Sequence, residues 1–356
     1  MNFTETYFLT GFPGFIAGRL VERLAGAETQ FFLLVQPQFV EKAKRDIEEI
    51  SAKTKTPLEN FAIIEGDITQ KYLGISEGDL EIVREETTDV FHLAAIYDLS
   101  VSKDLANRVN VEGTRNVNEF ARSLPNLRRY NYVSTCYVAG LRTGEILETE
   151  LEHRAGFRNF YEETKYLAEA EVEKLKDDLP VTIFRPSVVV GDSNTGETAK
   201  YDGIYYLILY LRKAPSLLRF INVGNDAVKL NLVPVDFVVE GIAALAKDKN
   251  AIGKTVALAD PNPLTTRQLF DAIAEAMTGK RSAWTPPAKL VESSLSLPVS
   301  PPITGLPLFG VPYFFLMQTY DTSVADELLE PHNVACPNFH SYVKNLLKFV
   351  EAHPKL

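Results

Sequence analysis

Gly11-x-x-Gly14-x-x-Ala17 sits between the apolar stretch Tyr7-Phe8-Leu9 and a run from Ile16 to Leu24 with helical spacing. Few features constrain a chain more tightly. The first glycine permits a tight strand-to-helix turn, and the second lets backbone approach a pyrophosphate. The small third residue lets the helix pack on the strand. The helix then offers unpaired N–H groups to an anion. Gly11, Phe12, Pro13, Gly14, Phe15 and Ile16 are therefore candidate residues for seating a dinucleotide.

The rest of the chain fits that beginning. Residues 31–35 are a continuous apolar run, the mark of a strand buried on both faces, and 61–64, 90–93, 129–133 and 181–184 also read as strands. Helical patterns at 41–52, 109–121 and 160–175 alternate with them. Such alternation predicts a parallel sheet covered on both sides. The expected fold class is α/β, a Rossmann-type doubly wound parallel sheet with a smaller, mostly helical C-terminal substrate lobe. Ligands bind beyond the carboxyl ends of such strands. Here those ends carry Gly11, Gln36, Asp67, Ala94, Thr135 and Arg185.

After about residue 190 the pattern loosens. Residues 229–235 and 255–258 read as strands, and 238–246, 267–277 and 342–350 as helices. The expected division is a dinucleotide-binding domain over 1–195, completed by about 226–262. Residues 196–225 and 263–356 then form the substrate lobe.

Forty-seven acidic against 37 basic residues give a net charge of −10, which argues against a nucleic-acid partner. Two cysteines, Cys136 and Cys336, make no disulfide framework and no metal cluster, so no metal is expected. With no signal peptide in evidence, the expectation is a reduced, cytoplasmic setting. Residues 293–320 carry no charge, but prolines at 298, 301, 302, 307 and 312 argue against a membrane-spanning helix. The stretch reads as an apolar wall or lid, with a peripheral membrane or partner contact as the alternative.

Tyr161 and Lys165 are four residues apart in a helical pattern and share a face. A neighbouring ammonium favours a phenolate, which suits Tyr161 to exchange a proton with a carbonyl or alcohol oxygen. Lys165 can also hold a nicotinamide ribose. Thr135 can donate to a substrate oxygen as charge builds on it, with Ser134 as its rival. Cys136 and His92 read as buried structural residues. Cofactor choice turns on the end of the second strand, where an acid would bind the ribose of NAD. Gln36 stands there instead, and Lys42, Lys44 and Arg45 follow. NADP(H) is favoured, with Arg45 among the candidates for its extra phosphate and NAD as the alternative.

In order along the chain, Thr10–Gly18, Gly66-Asp67-Ile68, His92-Leu93-Ala94-Ala95, Asn110–Thr114, Val133-Ser134-Thr135, Tyr161-x-x-x-Lys165 and Arg185-Pro186-Ser187 resemble the extended short-chain dehydrogenase/reductase family. The resemblance implies a Thr135/Tyr161/Lys165 catalytic set. It places Asp67 and Ile68 at the adenine, Ala94 and Ala95 in the cofactor site, and Pro186 and Val188 near the nicotinamide. Residues 190–196 and 232–236 look like the thioester reductase and fatty acyl-CoA reductase branch, whose members reduce acyl thioesters with NADPH.

The first expectation is thus an NADP(H)-dependent reductase of an apolar small-molecule carbonyl or acyl thioester. The second is a hydroxyl dehydrogenase or epimerase on a sterol-like or sugar-nucleotide substrate, since oxidation and reduction share one transition state. A non-catalytic cofactor sensor is a third, and the intact Tyr161/Lys165 pair speaks against it.

Overall fold

A computed structural model describes residues 3–213, 221–301 and 306–355. The strands are β1 (Glu5–Thr10), β2 (Thr29–Val35), β3 (Phe61–Glu65), β4 (Asp89–His92), β5 (Arg129–Val133), β6 (Gly144–Ile146), β7 (Val181–Pro186), β8 (Val188–Val190), β9 (Leu232–Pro234), β10 (Thr255–Leu258) and β11 (Gln318–Tyr320). The helices are α1 (Phe15–Leu24), α2 (Val40–Thr54), α3 (Glu77–Glu86), α4 (Lys103–Ala106), α5 (Gly113–Arg122), α6 (Phe160–Glu173), α7 (Ile204–Lys213), α8 (Val235–Leu245), α9 (Thr266–Thr278), α10 (Ala288–Leu295), α11 (Ser323–Leu329) and α12 (Phe339–Ala352).

Seven strands form one parallel sheet in the order β10-β7-β5-β4-β1-β2-β3. The order reverses between β1 and β4, and a crevice opens at that switch point. Period-2 alternation sends successive residues to opposite faces. Tyr7, Leu9, Phe31 and Leu33 face one core, shared with α1, α2 and α8. Phe8, Phe32, Leu34 and Val90 face the other, shared with α5 and α6. This two-sided burial explains the unbroken apolar run of β2 at 31–35. A third core joins α7, α9 and α12 to Val190 and Leu232. A Thr265/Gln268 capping box starts α9.

Several expectations need adjusting. The strand expected over 229–235 is confined to Leu232–Pro234. Pro234 cannot donate to a ladder, and α8 begins directly after it, with Asp236 in its first turn taking the Ser193 N–H and hydroxyl. The helix expected from 109 is entered through a π turn, Asn107–Glu112. There the Asn110 side chain accepts from Ile96 N at 2.9 Å and donates to Thr164 at 3.0 Å. The strands β6, β8 and β11, three residues each, are too short for alternation to show. Helix α3 was not expected either, because only Val83 of its ten residues is buried. The uncharged stretch is built of the end of α10, a 3-10 turn (Leu308–Phe315) and β11. Pro302 and the rest of 302–305 lie outside the described residues, as do 214–220 of the expected lobe. Among the described residues no helix is long and apolar enough to cross a membrane.

Candidate active site

The carboxyl ends of β1 to β5 and β7 open into one cleft of about 950 Å³. At its floor the turn after β1 closes through Gly14 N donating to Gly11 O at 2.8 Å. Gly11 has φ +95°, and a Cβ there would lie 2.9 Å from Ala94 N. A Cβ on Gly14 would lie 2.6 Å from Gly11 O. Side chains are therefore excluded, and bare backbone at the start of α1 faces the cleft. That cradle fits a pyrophosphate.

Beyond β2, Gln36 donates to Asp67 at 2.8 Å, and Asp67 also accepts from Thr69 N at 2.8 Å. Burial pushes the Asp67 carboxyl up. The Thr69 and Gln36 hydrogen bonds and the Arg108 charge outweigh it and hold the group below its usual range. A carboxylate kept charged and flanked by an amide is suited to ribose or base donors.

The other end of the cleft is set by α6. Asn159 caps it, accepting from Glu162 N at 3.0 Å, an interaction worth about 1 kcal/mol. Tyr161, Lys165 and Glu169 follow at four-residue spacing on one face, all buried. The Tyr161 hydroxyl hydrogen-bonds to Thr135, which lies just past β5. The Tyr97 ring meets Tyr161 edge-on, with centroids 5.2 Å apart. The Lys165 ammonium donates to the Tyr132 hydroxyl at 3.0 Å and the Val133 carbonyl at 2.9 Å. Burial lowers its pKa to about 8, against the pull of Glu169.

Burial pushes the Tyr161 phenol up, with the Thr135 hydrogen bond opposing and the Glu162 charge reinforcing. This reverses the lowering expected from a neighbouring ammonium. Desolvation dominates, and Lys165 spends its hydrogen bonds on β5.

Residues 9–242 match the male sterility protein family, an NAD-binding domain family. The chain belongs to that family. Its curated relatives include fatty acyl-CoA reductases. "Fatty acyl-CoA reductase wat" of Drosophila melanogaster is 29% identical over 277 residues, covering 68% of this chain and 54% of that protein. "Fatty acyl-CoA reductase 1" of Homo sapiens is 27% identical over 282 residues, again covering 68% of this chain and 54% of that protein. The chain thus spans about half the length of these two relatives. The terminal R domain from the myxalamid PKS-NRPS biosynthetic pathway superposes with a TM-score of 0.81 at 24% identity, covering 99% of this chain and 92% of that one. At that identity it shows the fold.

In this member of the male sterility family the cleft walls include Gly11, Phe12, Pro13, Gly14, Phe15, Ile16, Gln36, Asp67, Ile68, Ala94, Ala95, Thr135, Tyr161, Lys165, Pro186 and Val188. Arg45 is not brought there. It lies on the exposed side of α2, while Lys42 of the same helix reaches the cleft and donates to Pro13 O at 2.7 Å. Ser134 lines the cleft, but its hydroxyl is taken by Glu169. Arg185 is also absent from the walls. It pairs with Glu169 and donates to the carbonyls of Glu148 and Glu150. His92 is buried between Thr10 (2.8 Å) and Thr114 (3.0 Å), and Cys136 is buried against Arg185 O.

Sequence reasoning missed Arg108, Tyr97, Tyr137 and Lys200, which all line the cleft. Arg108 had one available signal, its place two residues before Asn110 in the family's motif.

Proposed function

We propose that the protein is an NADP(H)-dependent reductase of an apolar carbonyl or acyl thioester. The observation that carries this reading is the convergence of Thr135, Tyr161 and Lys165 at one end of a cleft whose other end is a glycine phosphate turn. When bound, the nicotinamide supplies the hydride. Tyr161 holds its proton because it is buried, and so can release it to an oxygen that gains charge. Thr135, beside Tyr161, turns its single O–H from the phenol to donate to the same oxygen. Lys165 anchors the ribose and offsets the charge left on Tyr161. Lys42 and Arg108 are the cations at the Gln36/Asp67 end and support a preference for the 2′-phosphate.

The apolar character of the substrate is supported by a second pocket, beside the first. Among the described residues its walls, including Tyr206, Leu207, Phe270, Phe314 and Phe315, carry no charged residue. Fatty acyl-CoA reductase relatives suggest an acyl group for it.

NADPH oxidation screened against acyl-CoAs, aldehydes and ketones tests the reading. Turnover is expected on apolar members of that panel. Tyr161→Phe should keep cofactor binding and lose most of the rate. Persisting turnover in that variant would remove Tyr161 as the acid.

A further inference from the structure

We infer that Tyr313 is a positioning residue that couples the apolar pocket to the catalytic helix, so that a hydrocarbon chain seated in the pocket steadies Tyr161. The inference rests on the reductase reading above.

The pocket and the helix meet in one tripeptide. Phe314 and Phe315 are walls of the uncharged pocket. Tyr313, their neighbour, is buried, and its hydroxyl donates to Glu162 Oε1 at 2.6 Å and accepts from Asn159 Nδ2 at 2.7 Å. Asn159 is the cap of α6, and Glu162 directly follows Tyr161. The first turn of the catalytic helix is thus gripped from about 150 residues away in sequence. Glu162 is fully buried, with Arg158 3.3 Å away. A hydroxyl donating to a buried carboxylate makes one of the stronger hydrogen bonds available. The Tyr313 ring also lies 4.8 Å from that of Tyr137, a cleft wall two residues after Thr135. Tyr313 thus touches a near neighbour of each reacting side chain, Glu162 beside Tyr161 and Tyr137 two residues after Thr135.

The pocket adjoins the reacting end by a second route. Ile204, one of its walls, stands two residues after Asp202, a wall of the cleft. At about 90 Å³ against about 950 Å³ for the cleft, the pocket is small. A chain that fills it bears on Phe314 and Phe315. An unbranched hydrocarbon suits those walls, because none of the described residues there answers a charge.

Dodecanoyl-CoA and butanoyl-CoA compared as substrates read out the coupling. The wild type should turn over the longer chain with a kcat about tenfold higher, because small errors in placing reacting groups are costly in rate. Tyr313→Phe should bring the two kcat values together while leaving the KM advantage of the longer chain. Glu162→Gln keeps an acceptor for Tyr313 and should retain the kcat preference. Equal loss of kcat on both chains in Tyr313→Phe would mean plain structural support and overturn the inference. A second readout needs no turnover. In the protein with NADP+ bound, dodecanol should slow amide hydrogen exchange over residues 159–165 in the wild type and not in Tyr313→Phe. No protection in the wild type would overturn the coupling. Protection without reduction of any thioester would sink the reaction reading and leave the coupling standing.

Discussion

Arg185 on β7 donates through Nε (2.9 Å) and Nη2 (2.5 Å) to one oxygen of Glu169 on α6, and both side chains are almost wholly buried. The other carboxylate oxygen takes the Ser134 hydroxyl. Glu169 lies one turn beyond Lys165, and its charge opposes the loss of that lysine's proton. The pair therefore braces α6 against the sheet from behind the cleft.

Removing one partner of a buried pair leaves the other charge stranded, which costs about 3–5 kcal/mol. Arg185→Met should lower unfolding stability by that order, measured by urea titration. A loss under about 1 kcal/mol would place the pair in the class of exposed salt bridges.

Lys165 should set the alkaline limb of activity. In the proposed mechanism its ammonium is the working form, and burial brings its pKa to about 8 in the free protein. Since kcat/KM reports the free enzyme, its value for the cofactor should fall as pH rises through about 8. Lys165→Arg keeps a charge at all these pH values and should flatten that limb. A wild-type profile flat to pH 10 would contradict the assignment.

The cations at the Gln36/Asp67 end should decide cofactor choice. Lys42→Ala and Arg108→Ala are each expected to raise the KM for NADPH about tenfold, the scale of one charge-assisted hydrogen bond, and to leave that for NADH unchanged. Arg45→Ala should change neither. Equal effects on both cofactors would mean that these residues meet parts common to NAD and NADP.

His92 should make the fold sensitive to acid. Burial holds its pKa near 3, with the Lys165 charge adding to the effect. The unfolded chain takes up this proton near pH 6.5 and the folded one only near 3, so stability falls as pH drops through that window. His92→Gln should show a shallower decline in denaturation midpoint between pH 6.5 and 4. Parallel curves would show that other groups govern that range.

The sheet and the mouth of the cleft were legible because they depend on local rules. A glycine at φ +95° is forced by the approach of Ala94, and the apolar run of β2 follows from burial on both faces. The helical spacing of Tyr161 and Lys165 fixed their common face. Other features depend on partners far away in sequence. Nothing near Arg185 announces Glu169, and nothing near Tyr313 announces Asn159. The rise in the Tyr161 pKa is likewise a product of enclosure, which spacing alone does not reveal. Lys42 and Arg45 looked equivalent in the sequence, and only the rotation of α2 separates them.

Helices α11 and α12 are neighbours in the chain but belong to different cores. Ala325, Leu328 and Leu329 of α11 pack with α8 and the sheet, whereas Tyr342, Val343 and Leu346 of α12 pack with α7 and α9. Strand β11, just before them, pairs with β6 in the loop that follows Thr135. A chimera meant to borrow a relative's specificity therefore cannot be made by grafting a tail at a single junction. Such a graft would exchange part of the nucleotide half along with the lobe, and α11 would have to stay with its host.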